Sequence, residues 1–184
     1  KSIPGDYVSV SAAIADLNSQ GVGVGGVIFN VAAGYTETLA SATAGTITAS
    51  GSASSPIVFQ LDPSTSGANP LITSFVIGTA QTYDGMIKIA GGDYITFDGI
   101  DLQENPTNTT AAKYTDWGYA LLKASATNCA QYNTIKNCSI SLNKANTASI
   151  GIYGASAGTT GTSITPTSVT GINSYNKIDG CNIS

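Results

Sequence analysis

Tyr94-Ile95-Thr96-Phe97-Asp98-Gly99-Ile100-Asp101-Leu102 is a unit that the chain uses three times. It returns as Tyr132-Asn133-Thr134-Ile135-Lys136-Asn137-Cys138-Ser139-Ile140 and as Tyr175-Asn176-Lys177-Ile178-Asp179-Gly180-Cys181-Asn182-Ile183. In the first copy Ile95 and Phe97 share one face at the two-residue period of a strand, and Ile100 and Leu102 form a second pair out of phase with it. The phase breaks at Asp98-Gly99, and at Lys136-Asn137 and Asp179-Gly180 in the other copies. Gly and Asn tolerate the left-handed backbone conformation, so a sharp bend there returns the apolar residues of both strands to one interior.

A second unit precedes each copy: Gly85–Ala90, then Tyr119–Ala124, then Ser149–Gly154. Two strand types alternating in fixed order are the mark of a solenoid. Stacked copies would form parallel sheets with like residues over like. Phe97, Ile135 and Ile178 fall in one column, and Ile100, Cys138 and Cys181 in the next. The expected fold is therefore all-β, a parallel β-helix with coils of uneven length. The bias of parallel crossover connections makes it right-handed.

Working outward, Val10, Ala13, Ile14 and Leu17 at i, i+3, i+4 and i+7 predict a helix around Ala12–Asn18. Ser9 or Ser11 can cap it and Gly21 stop it, and it is expected to close the N-terminal end of the solenoid. Further short apolar runs predict strands at Val27–Val31, Pro56–Leu61, Leu71–Ile77, Ala120–Lys123, Cys138–Leu142 and Ile150–Tyr153. The Ser/Thr/Gly/Ala-rich stretches Ala40–Ser55, Asn105–Ala112 and Ala157–Ser168 read as loops. Nothing resembles an interdomain linker, so residues 1–184 are read as one domain, with a cap over about 1–26 and coils over 27–184. The last copy stops inside its second strand without a closing element, which predicts that the chain is a segment of a longer solenoid.

Composition narrows the chemistry. Only 10% of the 184 residues are charged, all seven basic residues are Lys, and His is absent. A His base, a His metal site and an arginine clamp are therefore excluded within this stretch. The formal charge of −4 makes nucleic acid a poor partner, and no apolar run approaches the ~20 residues of a membrane span. Low charge with abundant Ser, Thr and Asn suits a secreted or cell-surface protein. Cys138 and Cys181 read as small buried apolar residues, although neighbouring strands ~4.8 Å apart also admit a bridge.

The opening Gly5-Asp6-Tyr7-Val-Ser-Val-Ser-Ala-Ala-Ile14, followed by Gly26-Val-Ile-Phe-Asn-Val-Ala-Ala-Gly-Tyr-Thr-Glu37, resembles the N-terminal cap and first coil of pectin-lyase-like right-handed β-helix proteins. Within that group the chain is most similar to secreted surface proteins of Bacteroidota, of the kind exported by type IX secretion. The resemblance implies a fold that hosts lyases, esterases, hydrolases, adhesins and passive stalks alike. The catalytic residues of its enzymes do not carry over. Pectin methylesterases need an Asp pair with an Arg, pectate lyases an Arg or Lys beside calcium-binding carboxylates, and polygalacturonases an Asp trio with His.

Two groups of residues remain as candidate sites. Asp98, Asp101 and Glu104 offer carboxylates for Ca²⁺, the only cofactor the chain suggests. Asp98 and Asp101 offer an alternative glycosidase-like acid pair, and against both readings stands the one in which carboxylates at such turns are simply solvated. Tyr114, Asp116, Trp117 and Tyr119 form the aromatic-rich loop, where rings beside a carboxylate suit stacking on sugars, or where Trp117 seals a coil edge. The expected function is a structural or adhesive β-helix of a secreted bacterial surface protein, possible partners being a surface polysaccharide or further subunits of a surface assembly. The alternative is the N-terminal part of a polysaccharide lyase or glycoside hydrolase with its catalytic coils beyond Ser184. On the first reading the chain forms no unsaturated uronate products from pectate. Their appearance by ultraviolet absorbance, and their loss in Asp98→Asn or Asp101→Asn, would refute it.

Overall fold

The computed structural model describes residues 1–76, 83–110 and 113–184. After β1 (Ser2–Ile3) and the helix α1 (Val10–Gln20), a first coil runs through β2 (Val27–Val31), β3 (Thr36–Thr38) and β4 (Thr46–Ile47). The second coil is β5 (Ile57–Leu61), β6 (Leu71–Thr73) and β7 (Gly85–Ala90). The third is β8 (Ile95–Asp98), β9 (Asp101–Gln103) and β10 (Trp117–Ser125), with β11 (Asn128–Cys129) folded back antiparallel on β10. A fourth comprises β12 (Thr134–Lys136), β13 (Ser139–Ser141) and β14 (Ile150–Gly154), and β15 (Lys177–Asp179) with β16 (Asn182–Ile183) follows on the same rows. Coil-to-coil pairing is parallel in three sheets, β1-β2-β5-β8-β12-β15, β3-β6-β9-β13-β16 and β4-β7-β10-β14. The chain is thus a β-solenoid of about four turns.

The columns expected from the repeat are those observed. Ile135 pairs with Phe97 on one side and Ile178 on the other. Phe29, Phe59 and Phe97 stack upward through the first three coils, with ring centroids 4.5 and 5.0 Å apart. Gly99, Asn137 and Gly180 take φ of 67°, 55° and 60°, so the phase break is the left-handed bend that the alternation demanded. Cys129, Cys138 and Cys181 are free thiols; Cys138 is buried in the core and Cys181 packs against it.

The opposite corner of each coil holds a feature the alternation did not announce. Tyr94, Tyr132 and Tyr175 also lie in the left-handed region, at φ 53°, 55° and 58°. For a bulky side chain that costs ~1–2 kcal/mol each. Their rings stack nearly parallel at 4.7 and 4.6 Å, which returns ~0.5–1.5 kcal/mol per pair. Beside them Asn176 Oδ1 accepts from the Asn133 N–H, and Asn133 Oδ1 from the Ile95 N–H, both at 2.9 Å. Their amides donate across the turn to the carbonyls of Gly92 and Ala130. Backbone groups at this corner, which a bend would otherwise leave unpaired, are therefore satisfied.

The helix docks through its apolar stripe and its N-terminus together. Val10, Ala13, Ile14 and Leu17 are buried in the common core, and the Ser9 side chain accepts from the Ala12 N–H. The Glu37 carboxylate on β3 accepts from the N–H groups of Val10 and Ser11 at 2.7 and 3.1 Å, placing a negative charge at the positive end of the helix. Tyr35 donates to the same carboxylate, and burial beside it pushes the Tyr35 phenol up to about 12.

Several boundaries differ from those expected. β4 lies within the stretch read as the loop Ala40–Ser55, because two residues are too few to show a period. β1 and β11 are equally short, and β3 is only one residue longer. The strand expected over Leu71–Ile77 ends at Thr73, and Ile77, like Ala112 of the second loop, lies outside the described residues. β10 begins at Trp117 and not at Ala120. Among the described residues no helix is long and apolar enough to cross a membrane. Phe59 is wholly buried between two stacked rings. Phe59→Ala is expected to lower the unfolding free energy by ~3–5 kcal/mol, measured by urea denaturation.

Candidate functional site

The sheet β4-β7-β10-β14 presents two chemically different faces. Ile47, Ile87, Ile89, Tyr119 and Leu121 point into the common core. The alternate positions Thr46, Lys88, Ala120 and Tyr153 align across the four coils on the other face. There Trp117, Ala120 and Leu122 form a separate apolar cluster with Tyr153. Trp117 stacks on Tyr153 at 4.4 Å and leans toward Tyr83 at 6.0 Å. Gly85 makes room for it, since a Cβ there would stand 3.2 Å from the indole ring. Trp117 itself is only 3% exposed, whereas about half of Tyr83 meets solvent.

Next to this strip lies a buried carboxylate. Asp84 is 2% exposed; its Oδ1 accepts from the Asp116 N–H at 2.9 Å, and its Oδ2 has no hydrogen-bond partner. Burial pushes its carboxyl up to about 6, against the Asp116 N–H bond, and the nearby charges of Asp116 and Glu104 add to the rise. Lys88, four positions on, is 4% exposed, and burial pushes its ammonium down while Asp84 pulls it up. The ion pairs among the described residues are Lys1–Asp6, Lys136–Asp98 and Lys177–Asp179, so Asp84 and Lys88 influence each other without closing one.

Asp84, Lys88 and Tyr83 line a cavity of about 330 Å³ together with Ala42, Thr43, Thr159 and Thr160. A second cavity of about 430 Å³ shares Thr159 and Thr160 and continues over Thr46, Thr48 and Ala90. The roof of both is the connection after β14. It is tied to the sheet by the Lys123 N–H donating to Ala157 O, and folded on itself by Gly158 N to Thr162 O and Ile164 N to Ser156 O. Gly161 packs so closely on Tyr83 that a Cβ would come within 2.2 Å of the ring. Thr46 Oγ1, in the second cavity, is also buried without a partner. Each such orphan costs ~1–3 kcal/mol, so this face holds polar groups that the fold itself leaves unused.

The residues singled out from sequence are distributed as follows. Asp116 belongs to this region: its Oδ2 accepts from the Tyr83 N–H at 2.7 Å and its Oδ1 from Asn146 Nδ2 at 3.0 Å. Trp117 sits in the strip, but Tyr119 faces the core, where its hydroxyl donates to Ile100 O at 2.7 Å. Tyr114 donates to Thr109 O at 3.2 Å. Asp98 pairs with Lys136 at 2.9 Å and accepts from Asn137 Nδ2 at 2.7 Å. Asp101 accepts from the Ser139 N–H and Asn69 Nδ2. Glu104 is buried and accepts from Ser74 Oγ, Thr115 N and Asn108 Nδ2. The structure therefore gives these three carboxylates separate partners. Among the described residues no group of three or more His, Cys, Asp or Glu side chains is placed to hold a metal. Asp84 and Lys88 escaped the sequence reading. Their signal was a lysine in the middle of the otherwise apolar run Met86-Ile87-Lys88-Ile89.

No known protein family, curated protein or solved structure matches the chain.

The carboxyl of Asp84 makes stability pH-dependent in a stated direction. Its acidity in the unfolded chain is near the ordinary ~3.9, so the folded state holds the proton more tightly. The resulting stabilisation is full below about pH 4 and is lost as the pH rises through about 6, a difference of ~3 kcal/mol. Asp84→Asn is expected to unfold at higher urea than the parent chain at pH 7.5, and to flatten the stability profile between pH 4 and 6.

Proposed function

We propose that this chain is a structural and adhesive right-handed parallel β-helix of a secreted bacterial surface protein, with α1 as its N-terminal cap, and that it contacts glycan along the outer face of its third sheet. The observation that carries the reading is the pair of partly exposed rings Tyr83 and Tyr153, packed on the buried Trp117 beside two cavities that carry threonine hydroxyls. Aromatic rings with an apolar face and a polar rim suit sugar rings, whose C–H faces stack while their hydroxyls need partners nearby. The threonines over the cavities supply hydroxyl partners, and the sheet holds Trp117 and Tyr153 in place. Without Arg and His the chain lacks the Arg that accompanies the Asp pair of pectin methylesterases and the His that accompanies the Asp trio of polygalacturonases. The same resemblance is the ground for proposing the pectin-lyase-like group and type IX export.

An immobilised polysaccharide panel tests the reading with the full chain. Retention on at least one surface glycan is expected, and Tyr153→Ala together with Tyr83→Ala should reduce it at least tenfold while the far-ultraviolet circular dichroism stays unchanged. A chain retained by none of the polysaccharides would sink the reading.

A further inference from the structure

We infer that the cavity beneath Thr159 and Thr160 is a subsite for one neutral sugar unit, in which Asp84 Oδ2 accepts from a ring hydroxyl and Lys88 Nζ donates to an adjacent oxygen. The inference rests on the glycan reading of this face and assigns it a specific pair of polar groups. Asp84 is almost wholly buried, yet one of its oxygens has no partner, so the fold spends a carboxylate on something other than its own hydrogen bonds. Lys88 lines the same cavity, is nearly as buried, and forms no ion pair with it.

Opposite charges that share a cavity without closing on each other select a particular ligand chemistry. An anion would meet the carboxylate and a cation would meet the ammonium, each with an unfavourable neighbour in a poorly solvated space. A pair of neighbouring hydroxyls carries a donor for Asp84 and an acceptor for Lys88 within one uncharged group. The cavity volume of about 330 Å³ lies at the small end of ligand sites, which suits one ring and not an extended oligomer. Tyr83, half exposed, supplies an aromatic face to the same cavity.

Saturation-transfer NMR with the full chain tests this, the probes being methyl α-mannoside, methyl β-galactoside and methyl β-glucoside, with galacturonate and glucosamine as charged counterparts. At least one neutral glycoside is expected to bind, at least tenfold more tightly than either charged probe. Asp84→Asn and Lys88→Met should each weaken it at least tenfold. Thr160→Tyr, made on the exposed roof and not in the sheet, should block the cavity and abolish binding whether or not the buried variants fold. Unchanged glycoside affinity in Thr160→Tyr would overturn the inference, as would preference for a charged probe. A chain that adheres to polysaccharide but binds none of the glycosides overturns the subsite and leaves the adhesive reading standing. Failure of both assays overturns both.

Discussion

The backbone of the stacked strands in each coil is satisfied by the coils above and below it, and the rest of the molecule follows from that. In-register parallel pairing sets neighbouring strands ~4.8 Å apart, so every side chain sits directly over its counterpart in the next coil. A residue that stacks well on itself is therefore favoured at each level: Phe29 on Phe59 on Phe97, Tyr94 on Tyr132 on Tyr175, Asn133 on Asn176. Where the column changes size, as from Phe97 to Ile135 and from Ile100 to Cys138, a neighbour fills the difference. Tyr119 brings its ring to 5.2 Å from Phe97 and its hydroxyl to Ile100 O, occupying the interior between columns. Close packing is thus kept through a coil whose repeated residues have shrunk.

How much of this can be read without coordinates depends on whether a feature lives in the period. The bend at Gly99, Asn137 and Gly180 interrupts a two-residue alternation with residues that favour a left-handed backbone, so both the bend and the columns around it were legible. The Tyr94, Tyr132 and Tyr175 corner was legible as one residue type recurring at the head of each repeat, but not as a second left-handed bend. Tyrosine is a poor residue for that conformation, and only the stacking and the adjacent Asn ladder make it tolerable. The helix was legible in its stripe and in Ser9, whereas its anchor, Glu37, lies on another element. β4 was hidden because Thr46-Ile47 is too short to carry a period.

The outer face of the third sheet was the least legible part for a related reason. It joins Asp84 and Lys88 from the second coil, Trp117 from the third, and Tyr153 with Thr159 and Thr160 from the fourth. No one repeat contains it, and the connection that roofs it has a composition shared by any loop. Asp116 and Trp117 were marked from sequence because aromatic residues and a charge cluster there. The unpaired carboxylate beside them came to light only once the coils were stacked. Burying Asp84 without a partner for Oδ2 works against stability, so the sheet is most regular on its inner face and carries its unmet polar groups outside.

The tyrosine column also makes the solenoid report optically on its own winding. Three phenol rings held nearly parallel at 4.7 and 4.6 Å couple their strong far-ultraviolet transitions, which gives the circular dichroism a contribution from the stack that isolated rings lack. Each ring comes from a different coil, and the coupling between two of them falls steeply if those coils separate or slip by one residue. Loss of that exciton signal, with strand content still intact, would mark the moment at which two coils lose register while each remains locally formed.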